Sequence, residues 1–407
     1  MTKKAHAPMT QFNHQGDDLL IAGKTARQVV QIAGSTPCYI YDKGIIKDNV
    51  ERLRHFFPDI SLHYAIKANP YSPLVSYLSE LVDGLDVASG KELAIALSTS
   101  TTPSNLSFAG PGKSEQELLM ALASDITINV ESKTELERIS KLASEFAYTA
   151  NIALRLNPDF ELKSSGMKMG GGSQQFGIDV EQLDDIVGLL SNPNINFRGL
   201  HIFTGSQNLR SESIISAHNN IFALAERLKQ QYSFDIKHLN IGGGFGIPYF
   251  PGESELELEP IAQNLQRLRH QYQNLATSEI ILELGRYLVG NAGIYLCQVT
   301  DKKVSRGKQY LVTNGGLHQH LAASGNFGQV IRKNYPLAVV TQMQSNELET
   351  VDVVGPLCTP LDILGSNMEL PKANIGDIIG VFQSGAYGYS ASPRDFLSHP
   401  HPVQLLL

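Results

Sequence analysis

Short apolar segments alternate with amphipathic segments from about residue 40 to residue 290. The apolar segments are β-rich, and the segments between them place apolar residues at helical spacing. Buried strands separated by helices are typical of a parallel sheet, because each crossover between parallel strands needs room for a helix. Eight strands are therefore predicted, at residues 61–68, 84–89, 106–110, 126–132, 151–158, 197–206, 238–244 and 279–285. Helices are predicted between them, among others at residues 114–123, 134–143, 180–190 and 212–231.

Eight strand–helix units fit a (β/α)8 barrel, although a doubly wound open sheet has the same periodicity. From residue 291 the pattern changes to short strands with turns and little helix, which is typical of an antiparallel β domain. The predicted fold class is α/β plus β. Its parts are an N-terminal segment (1–40), a barrel (41–290) and a C-terminal β domain (291–407).

Composition narrows the function classes. Hydrophobic residues make up 42% and charged residues 18% of the 407 residues, and the net charge of −7 argues against a nucleic-acid partner. No secretory signal is evident, and no stretch approaches the roughly 20 apolar residues of a membrane helix. Cys38, Cys297 and Cys358 are too few and too widely spaced for a disulfide framework or a CxxC metal site. We therefore expect a cytoplasmic protein with no metal and no membrane contact.

Lys67 in HYAIKANP lies at the end of a predicted apolar strand. Burial would lower the pKa of its amine and make it nucleophilic towards an aldehyde. Catalytic groups of barrels lie at the carboxyl ends of strands. An equal alternative is a lysine that extends from the barrel rim to solvent.

Two more strand ends carry candidate chemistry. Gly243 and Gly244 in NIGGGFG directly follow a strand, where backbone N–H groups can approach a phosphate, although an isolated GGG is more often a tight turn. Ser206 in TGSQ ends another strand and adds a possible phosphate contact. In ILELGRYLVG, Glu283 is placed to accept a hydrogen bond from a protonated pyridine nitrogen and Arg286 to clamp a phosphate. A local ion pair between the two is the alternative.

The C-terminal region offers Cys358 in GPLCTP as an acid and Tyr387 in SGAYGY as a further contact, although a lone cysteine is more often a small core residue. Each signal is modest alone. Together they supply an aldehyde-trapping lysine, a phosphate cradle, a partner for a pyridine nitrogen and an acid. That set is a complete site for pyridoxal 5'-phosphate (PLP).

The ordered motifs HYAIKANP, DVASGKEL, FAGPGKS, INVES, RLNP, HIFTGSQ, IGGGFG, ELGRYLVG, GPLC and SGAYG resemble those of the fold-type III PLP-dependent decarboxylases, which include diaminopimelate and ornithine decarboxylases. The resemblance covers about residues 35–407. It implies an alanine racemase-like barrel followed by a β domain, with part of the N-terminal segment packing on that domain. It also implies a homodimer with shared active sites.

The resemblance further implies the roles of individual residues. Lys67 is implied as the Schiff-base lysine, Glu283 as the partner of the ring nitrogen and Cys358 as a proton donor contributed by the other subunit. The remaining implied cofactor contacts are His201 and Phe203 beside the ring, and Ser206, Gly243, Gly244, Arg286 and Tyr387 around the phosphate.

Three departures from the family pattern bear on the substrate. Phe203 replaces the second histidine of HIFTGSQ, and Thr359 replaces the acidic residue that commonly follows the active-site cysteine. The segment 314–336 replaces the one that carries an arginine for the distal carboxylate of diaminopimelate. His318 and His320 in it are candidates for the substrate pocket or, alternatively, belong to a polar loop. Losing the acidic partner of a distal ammonium would weaken the binding of a substrate that carries one, such as diaminopimelate, by roughly 2–5 kcal/mol.

The chain therefore resembles the branch of siderophore-pathway, antibiotic-pathway and exosortase-associated decarboxylases, some of which act on an amino acid joined to citrate or to an acyl carrier protein. We expect decarboxylation of a free or conjugated amino acid in a biosynthetic pathway. The alternatives are a free meso-diaminopimelate decarboxylase of lysine biosynthesis, an amino-acid racemase and a non-catalytic PLP-binding protein. Glu283 argues against the racemase, because alanine racemases place an arginine against the ring nitrogen. The β region from residue 291 argues against the non-catalytic protein.

Overall fold

The computed structural model of the 407-residue chain describes residues 6–160, 167–168, 170–327, 329 and 331–407. The chain forms two compact units. We call the first the barrel unit, which comprises Val50–Gly246 and Glu255–Gly285. We call the second the β unit, which comprises the chain up to Asn49, Ile247–Ser254 and Arg286–Leu407.

The strands in chain order are β1 (His14–Gln15), β2 (Asp18–Ile21), β3 (Lys24–Thr25), β4 (Cys38–Tyr41), β5 (Ser61–Ala65), β6 (Gly84–Val87), β7 (Leu106–Phe108), β8 (Thr127–Val130), β9 (Ala150–Asn157), β10 (Met167–Lys168), β11 (Ile178–Asp179), β12 (Ile195–His201), β13 (Gly205–Ser206), β14 (His238–Gly243), β15 (Glu279–Leu284), β16 (Gly293–Ser305), β17 (Lys308–Thr313), β18 (Leu337–Val339), β19 (Leu348–Val354), β20 (Ile363–Pro371), β21 (Ile378–Val381) and β22 (Val403–Leu406).

The α-helices are α1 (Ala26–Ala33), α2 (Lys43–Phe56), α3 (Ser72–Ser79), α4 (Gly90–Leu97), α5 (Glu115–Ala123), α6 (Lys133–Glu145), α7 (Asp184–Val187), α8 (Ser211–Tyr232), α9 (Glu259–Gln271) and α10 (Arg286–Val289). Short 3-10 turns lie at Ile66–Ala68, Pro103–Asn105, Val180–Gln182, Gly188–Ser191, Gln273–Leu275 and Phe396–Ser398. The predicted helix over 180–190 is therefore α7 flanked by two 3-10 turns. In the described part of the chain no helix is both long and apolar enough to cross a membrane.

All eight predicted barrel strands are present, and they close on one another. The parallel order is β9-β12-β14-β15-β5-β6-β7-β8, and β8 pairs with β9 to complete the circle. This closure confirms the barrel over the open sheet. The short strand β11 joins β9 outside the circle.

Serine caps start three successive barrel helices. The side chains of Ser89, Ser114 and Ser132 each accept a hydrogen bond from the backbone N–H three residues later, at the starts of α4, α5 and α6. Ser114 also forms a reciprocal capping box with Glu117. Such caps satisfy N–H groups that a helix leaves free at its start, so they help fix where each strand-to-helix loop ends.

The β unit is built on a mixed sheet with the path β18-β21-β16-β17-β19-β20. β4 pairs with both β16 and β22. The expected antiparallel pairing holds for most neighbours, but β17–β19 and β4–β22 are parallel. The second exception arises because β4 and β22 lie near opposite ends of the chain, where a long connection permits parallel pairing.

The N-terminal residues contribute to the apolar core of the β unit. Leu19 and Ile21 of β2 are buried in one cluster with Ile40, Ile294 and Val340. The backbone N–H of Leu19 donates to the carbonyl oxygen of Val340 at 2.8 Å. These contacts tie residues distant in sequence into one apolar core.

Candidate active site

Lys67 lies in the 3-10 turn that follows β5. Its side chain is 41% exposed, so the expected burial of this lysine is not observed. The reason is that the strand ends at Ala65 and the turn lifts Lys67 to the rim. Gly285 fits closely against this turn, because a Cβ at residue 285 would lie 2.9 Å from the Cβ of Ala68. The absence of a side chain at Gly285 thus helps set the height of Lys67.

Glu283 is buried near the end of β15, between the neighbouring strands β5 and β14. Its Oε1 lies 3.4 Å from the Lys67 Nζ, and its Oε2 lies 3.1 Å from the His201 Nε2. The amide of Asn240 donates to the same Oε2 at 3.5 Å. The structure therefore brings Lys67, His201 and Glu283 together, although the sequence separates the first two by 134 positions (201 − 67) and the last two by 82 (283 − 201).

The electrostatics of this cluster keep the Glu283 carboxyl ionised. Burial alone would raise the pKa of this carboxyl, but the Lys67 ammonium, the adjacent His201 ring and the charge of Arg155 lower it far below its usual range. An ionised carboxylate beneath an accessible amine can accept a hydrogen bond from a protonated ring nitrogen.

Phe203 supplies an aromatic wall beside the amine. The Lys67 Nζ lies 5.4 Å from the centroid of its ring, and the residue is 8% exposed. Gly242 lies against the same ring, since a Cβ there would be 2.9 Å from the Phe203 Cδ2. This wall can contact a flat heterocycle, but it cannot donate a hydrogen bond.

The glycine loop approaches other backbone closely. A Cβ on Gly243 would collide with the carbonyl oxygen of Glu283, and one on Gly244 would collide with that of Gly205. Gly244 also has φ +71°, which favours glycine. The same Cβ would come within 3.5 Å of the Ser206 Cα, so the loop and Ser206 are neighbours. Tight packing alone thus accounts for the glycines, and it also places Ser206 next to Gly244.

Sequence reasoning missed a buried ionic network inside the barrel unit. The Arg155 Nη1 lies 2.7 Å from the Glu131 Oε1, and the Lys113 Nζ lies 2.8 Å from the Glu135 Oε1. All four side chains are buried. The available signal was Arg155, a single charge inside the apolar strand NIALRLN. Within this network, the charge of Arg155 contributes to lowering the pKa of Glu283.

The barrel interior is also polar below the site. A cavity of about 30 Å³ is lined by polar side chains such as His63, Asp86, Ser107, Asn129 and Asn240. The Asn129 amide donates to the Ser107 hydroxyl at 3.0 Å, and that hydroxyl donates to Asp86. Burial lowers the pKa of His63, but the charge and hydrogen bond of Asp86, together with the charges of Glu279 and Glu283, outweigh it, so the pKa is raised.

In the β unit, Arg286 begins α10 and donates from Nη1 to the Tyr249 hydroxyl at 2.6 Å. The ring of Tyr387 lies 4.9 Å from the guanidinium carbon. Tyr387 has φ +58°, an uncommon backbone conformation for a tyrosine. Such a conformation is held only where the surrounding structure fixes it, and it places the ring against the guanidinium.

Cys358 is an exposed free thiol, whereas Cys38 and Cys297 are buried and burial raises the pKa of each to about 12. The alternative of Cys358 as a core residue is therefore wrong. The neighbouring Thr359 hydroxyl accepts a hydrogen bond from the Leu361 N–H at 3.3 Å, which uses this hydroxyl inside the turn.

The Cys358 turn is organised by a buried carboxylate. Asp362 is 2% exposed, and its two oxygens accept the N–H groups of Leu357 at 2.8 Å and Leu317 at 2.6 Å. Burial raises the pKa of this carboxyl. Asp362 links the turn to the segment 314–336.

The two histidines of the segment 314–336 have different surroundings. His320 is fully buried, with Nδ1 accepting from the Ala323 N–H at 3.2 Å and Nε2 lying 2.8 Å from the Ser384 hydroxyl. Burial lowers the pKa of His320 to about 3. These contacts give His320 a structural role rather than one in the substrate pocket. His318 is also buried, with its ring 5.0 Å from that of His399 and its pKa lowered to about 4 by burial and His399. No group of three potential metal ligands occurs among the described residues.

Comparison with known proteins identifies the family of these residues. The model of the pyridoxal-dependent decarboxylase family, pyridoxal binding domain, matches residues 43–290. L-glutamyl-[BtrI acyl-carrier protein] decarboxylase of Niallia circulans is 37% identical over 379 residues, which are 91% of this chain and 88% of that protein.

Two further relatives cover almost the whole chain. The Staphylococcus aureus 2-[(L-alanin-3-ylcarbamoyl)methyl]-2-hydroxybutanedioate decarboxylase is 31% identical over 91% of this chain and 93% of its own length. The crystal structure of diaminopimelate decarboxylase from M. jannaschii in complex with L-lysine superposes with a TM-score of 0.89 and 27% identity, over 98% of this chain and 93% of that one. Both units of the chain therefore have counterparts in decarboxylases.

Proposed function

Because the chain belongs to the pyridoxal-dependent decarboxylase family, we propose that it decarboxylates an amino acid whose side chain is conjugated to a larger group and carries no distal ammonium. The enzyme is a PLP-dependent carboxy-lyase. Its fold and relatives support biosynthetic decarboxylation.

The residues of the barrel unit fit PLP. Lys67 offers an accessible amine for the cofactor aldehyde, Glu283 an ionised carboxylate for the ring nitrogen, and Phe203 an aromatic wall. The Gly243–Gly244 turn with Ser206 offers N–H and hydroxyl groups for the phosphate. In the β unit, Arg286 and Tyr387 are the further phosphate contacts that we propose.

When bound, PLP withdraws electrons from the substrate Cα through its ring, and the protein supplies orientation and charge. Glu283 would hold a proton on the ring nitrogen, because its buried carboxylate is the negative group that a protonated nitrogen needs. His201 and Asn240 fix the orientation of the Glu283 carboxylate. After the carboxyl group leaves, a proton must be delivered to Cα.

We assign that proton delivery to Cys358. Its thiol is exposed on a turn whose backbone Asp362 holds in place. An exposed thiol on a fixed turn is available to a neighbouring molecule, which supports the homodimer with shared active sites implied by the family resemblance. In that dimer Cys358 serves the site of the partner subunit.

The substrate proposal rests chiefly on the acidic groups beside Cys358. Asp362, the nearest acidic residue in sequence on its C-terminal side, is buried, and both of its oxygens already accept backbone N–H groups. Thr359 carries no charge, and its hydroxyl is used within the turn. Neither residue offers a free carboxylate to a distal ammonium, as a substrate such as ornithine or diaminopimelate would need.

Two relatives support a conjugated substrate. The Niallia circulans and Staphylococcus aureus enzymes are named for a glutamyl group on an acyl carrier protein and for an alanine joined through an amide to a hydroxybutanedioate. In both names the amino acid is attached to a larger acidic or carrier group. Neither name specifies a free distal ammonium.

A CO2-release assay on purified enzyme with PLP tests the proposal. We expect turnover of a glutamyl-carrier or amide-linked alanine–hydroxybutanedioate substrate, and kcat/KM values at least about tenfold lower for free diaminopimelate, ornithine and lysine. Preference for free diaminopimelate would overturn the proposal and favour lysine biosynthesis.

The Thr359→Asp variant tests whether the missing carboxylate beside Cys358 selects against substrates with a distal ammonium. A carboxylate at residue 359 should raise the kcat/KM ratio of ornithine to the conjugated substrate by roughly ten- to a hundredfold, because it restores a partner for the distal ammonium. Thr359→Asn is the matched control, since asparagine has the size of aspartate but no charge. An equal response of both variants would show that charge at residue 359 does not select the substrate.

A further inference from the structure

The guanidinium of Arg286 is surrounded by tyrosines of the β unit. Its Nη1 donates to the Tyr249 hydroxyl at 2.6 Å, and the rings of Tyr249 and Tyr387 have their centroids 5.5 and 4.9 Å from the guanidinium carbon. Tyr335 packs its ring against that of Tyr249, with the centroids 4.7 Å apart, and it lies close enough to Arg286 for the guanidinium charge to lower the pKa of its hydroxyl. We call these three tyrosines the tyrosine cage.

The tyrosine cage leaves the charge of Arg286 without a counter-ion. Among the described residues, no carboxylate forms an ion pair with this guanidinium, whose neighbours are tyrosines. Burial raises the pKa of Tyr335 well above its usual value, so this hydroxyl stays neutral. A largely enclosed arginine that is held only by neutral groups retains donors for an anion.

Tyr249 and Tyr335 are themselves rigidly packed. They are 3% and 7% exposed, and their ring centroids lie 4.7 Å apart at an interplanar angle of 63°. Tyr335 also packs edge-on against the buried ring of His320 at 5.6 Å. The backbone carbonyl of Tyr249 accepts the Ala7 N–H at 3.2 Å. Both hydroxyls therefore have fixed positions from which to orient a guanidinium.

We infer that Tyr249 and Tyr335 are positioning residues that hold the plane of the Arg286 guanidinium for the phosphate of the cofactor. This inference rests on the phosphate role proposed for Arg286. It also gives the segment 314–336 a function through Tyr335. A purely structural role would make the two hydroxyls matter for folding but not for phosphate recognition.

The test compares PLP with pyridoxal, which carries the same aldehyde and ring but no phosphate. Dissociation constants are measured by absorbance titration of apoenzyme for wild type, Tyr249→Phe, Tyr335→Phe and Arg286→Met. Tyr249→Phe should bind PLP about tenfold more weakly and pyridoxal as wild type does, because one hydrogen bond to a charged group is lost. Tyr335→Phe should show a smaller loss that is again confined to PLP, because Tyr335 supports the Tyr249 ring. Inorganic phosphate should raise the melting temperature of wild-type apoenzyme more than that of either variant.

A control and a double-mutant cycle separate positioning from packing. Tyr295→Phe removes a buried hydroxyl hydrogen bond of 2.7 Å to Gln319 in the same unit and should leave the PLP affinity unchanged. In the Arg286→Met background, Tyr249→Phe should have no further effect on PLP affinity, since it acts through Arg286.

The outcomes distinguish this inference from the proposed function. Equal losses for PLP and pyridoxal, or additive effects in the cycle, would overturn the positioning role. If Arg286→Met weakens PLP but both tyrosine variants bind it normally, the inference fails while Arg286 remains a phosphate ligand. If Arg286→Met itself leaves the PLP affinity unchanged, the phosphate role of Arg286 and the inference fall together.

Discussion

The charge of Glu283 is the feature whose removal has the most definite consequence. Glu283→Gln keeps the size and one carbonyl oxygen but removes the negative charge next to the Lys67 amine and His201. Truncating one partner of a buried, hydrogen-bonded charge pair costs roughly 2–5 kcal/mol. If the whole loss falls on the transition state, kcat declines by about thirty- to several-thousandfold. The fall should appear in kcat, because the ring nitrogen would no longer be kept protonated.

The assay is CO2 release at saturating substrate, with the absorption spectrum of bound cofactor and a thermal melt recorded on the same samples. Glu279→Gln is a matched control, since it makes the same change at the exposed start of the same strand, β15. The control should retain wild-type kcat. A Glu283→Gln enzyme with bound cofactor and kcat within threefold of wild type would refute the assigned role.

Three further predictions concern the amine, the glycine loop and acid stability. Lys67→Ala should lose the absorption band of the covalently attached cofactor, and its kcat should fall at least about a thousandfold, while its melting temperature stays near that of wild type. Retention of both the band and turnover would exclude Lys67 as the residue that carries the cofactor. Gly244→Ala should lower cofactor affinity and cost roughly 1–3 kcal/mol of stability, because a Cβ would collide with the Gly205 carbonyl at positive φ; urea unfolding measures the second effect, and an unchanged midpoint would contradict it. His218 and His320 are buried with pKa values lowered to about 3 by burial, so the unfolded chain takes up their protons first as the pH falls. The free energy of unfolding that the two neutral histidines contribute is fully present above pH 6.5, the pKa of histidine in the unfolded chain. Below that pH it declines by up to about 1.4 kcal/mol per pH unit for each histidine, until pH 3. Denaturant unfolding between pH 7 and pH 5 should show this loss, and a constant free energy of unfolding would contradict it.

The barrel and its strand-end residues could be predicted because they depend on local signals. Parallel strands end at the same face of a barrel, so a lysine after β5 and a glutamate near the end of β15 were expected to be neighbours. Lys67 and Glu283 lie 3.4 Å apart. The short length of β5 was not predictable, because the turn at Ile66–Ala68 continues the apolar pattern of the strand.

Contacts formed across long sequence separations could not be predicted. Tyr249 and Tyr335 are unremarkable aromatics in the sequence and acquire a partner only when the β unit brings them to Arg286. The parallel pairing of β4 with β22 joins the two ends of the chain, and no local pattern encodes it. Sequence patterns specify what each element buries, whereas such pairings depend on the assembled fold.

Reduction of the holoenzyme with borohydride followed by peptide mass mapping tests the central claim most directly. Borohydride fixes the cofactor to the lysine that carries it, and proteolysis then locates the modified residue. We predict a single phosphopyridoxyl group at Lys67, on the peptide that contains HYAIKANP. The Lys67→Ala variant, treated in the same way, should carry no such group on that peptide. Labelling of a different lysine in the wild-type enzyme, or no labelling of an enzyme that releases CO2, would contradict the account.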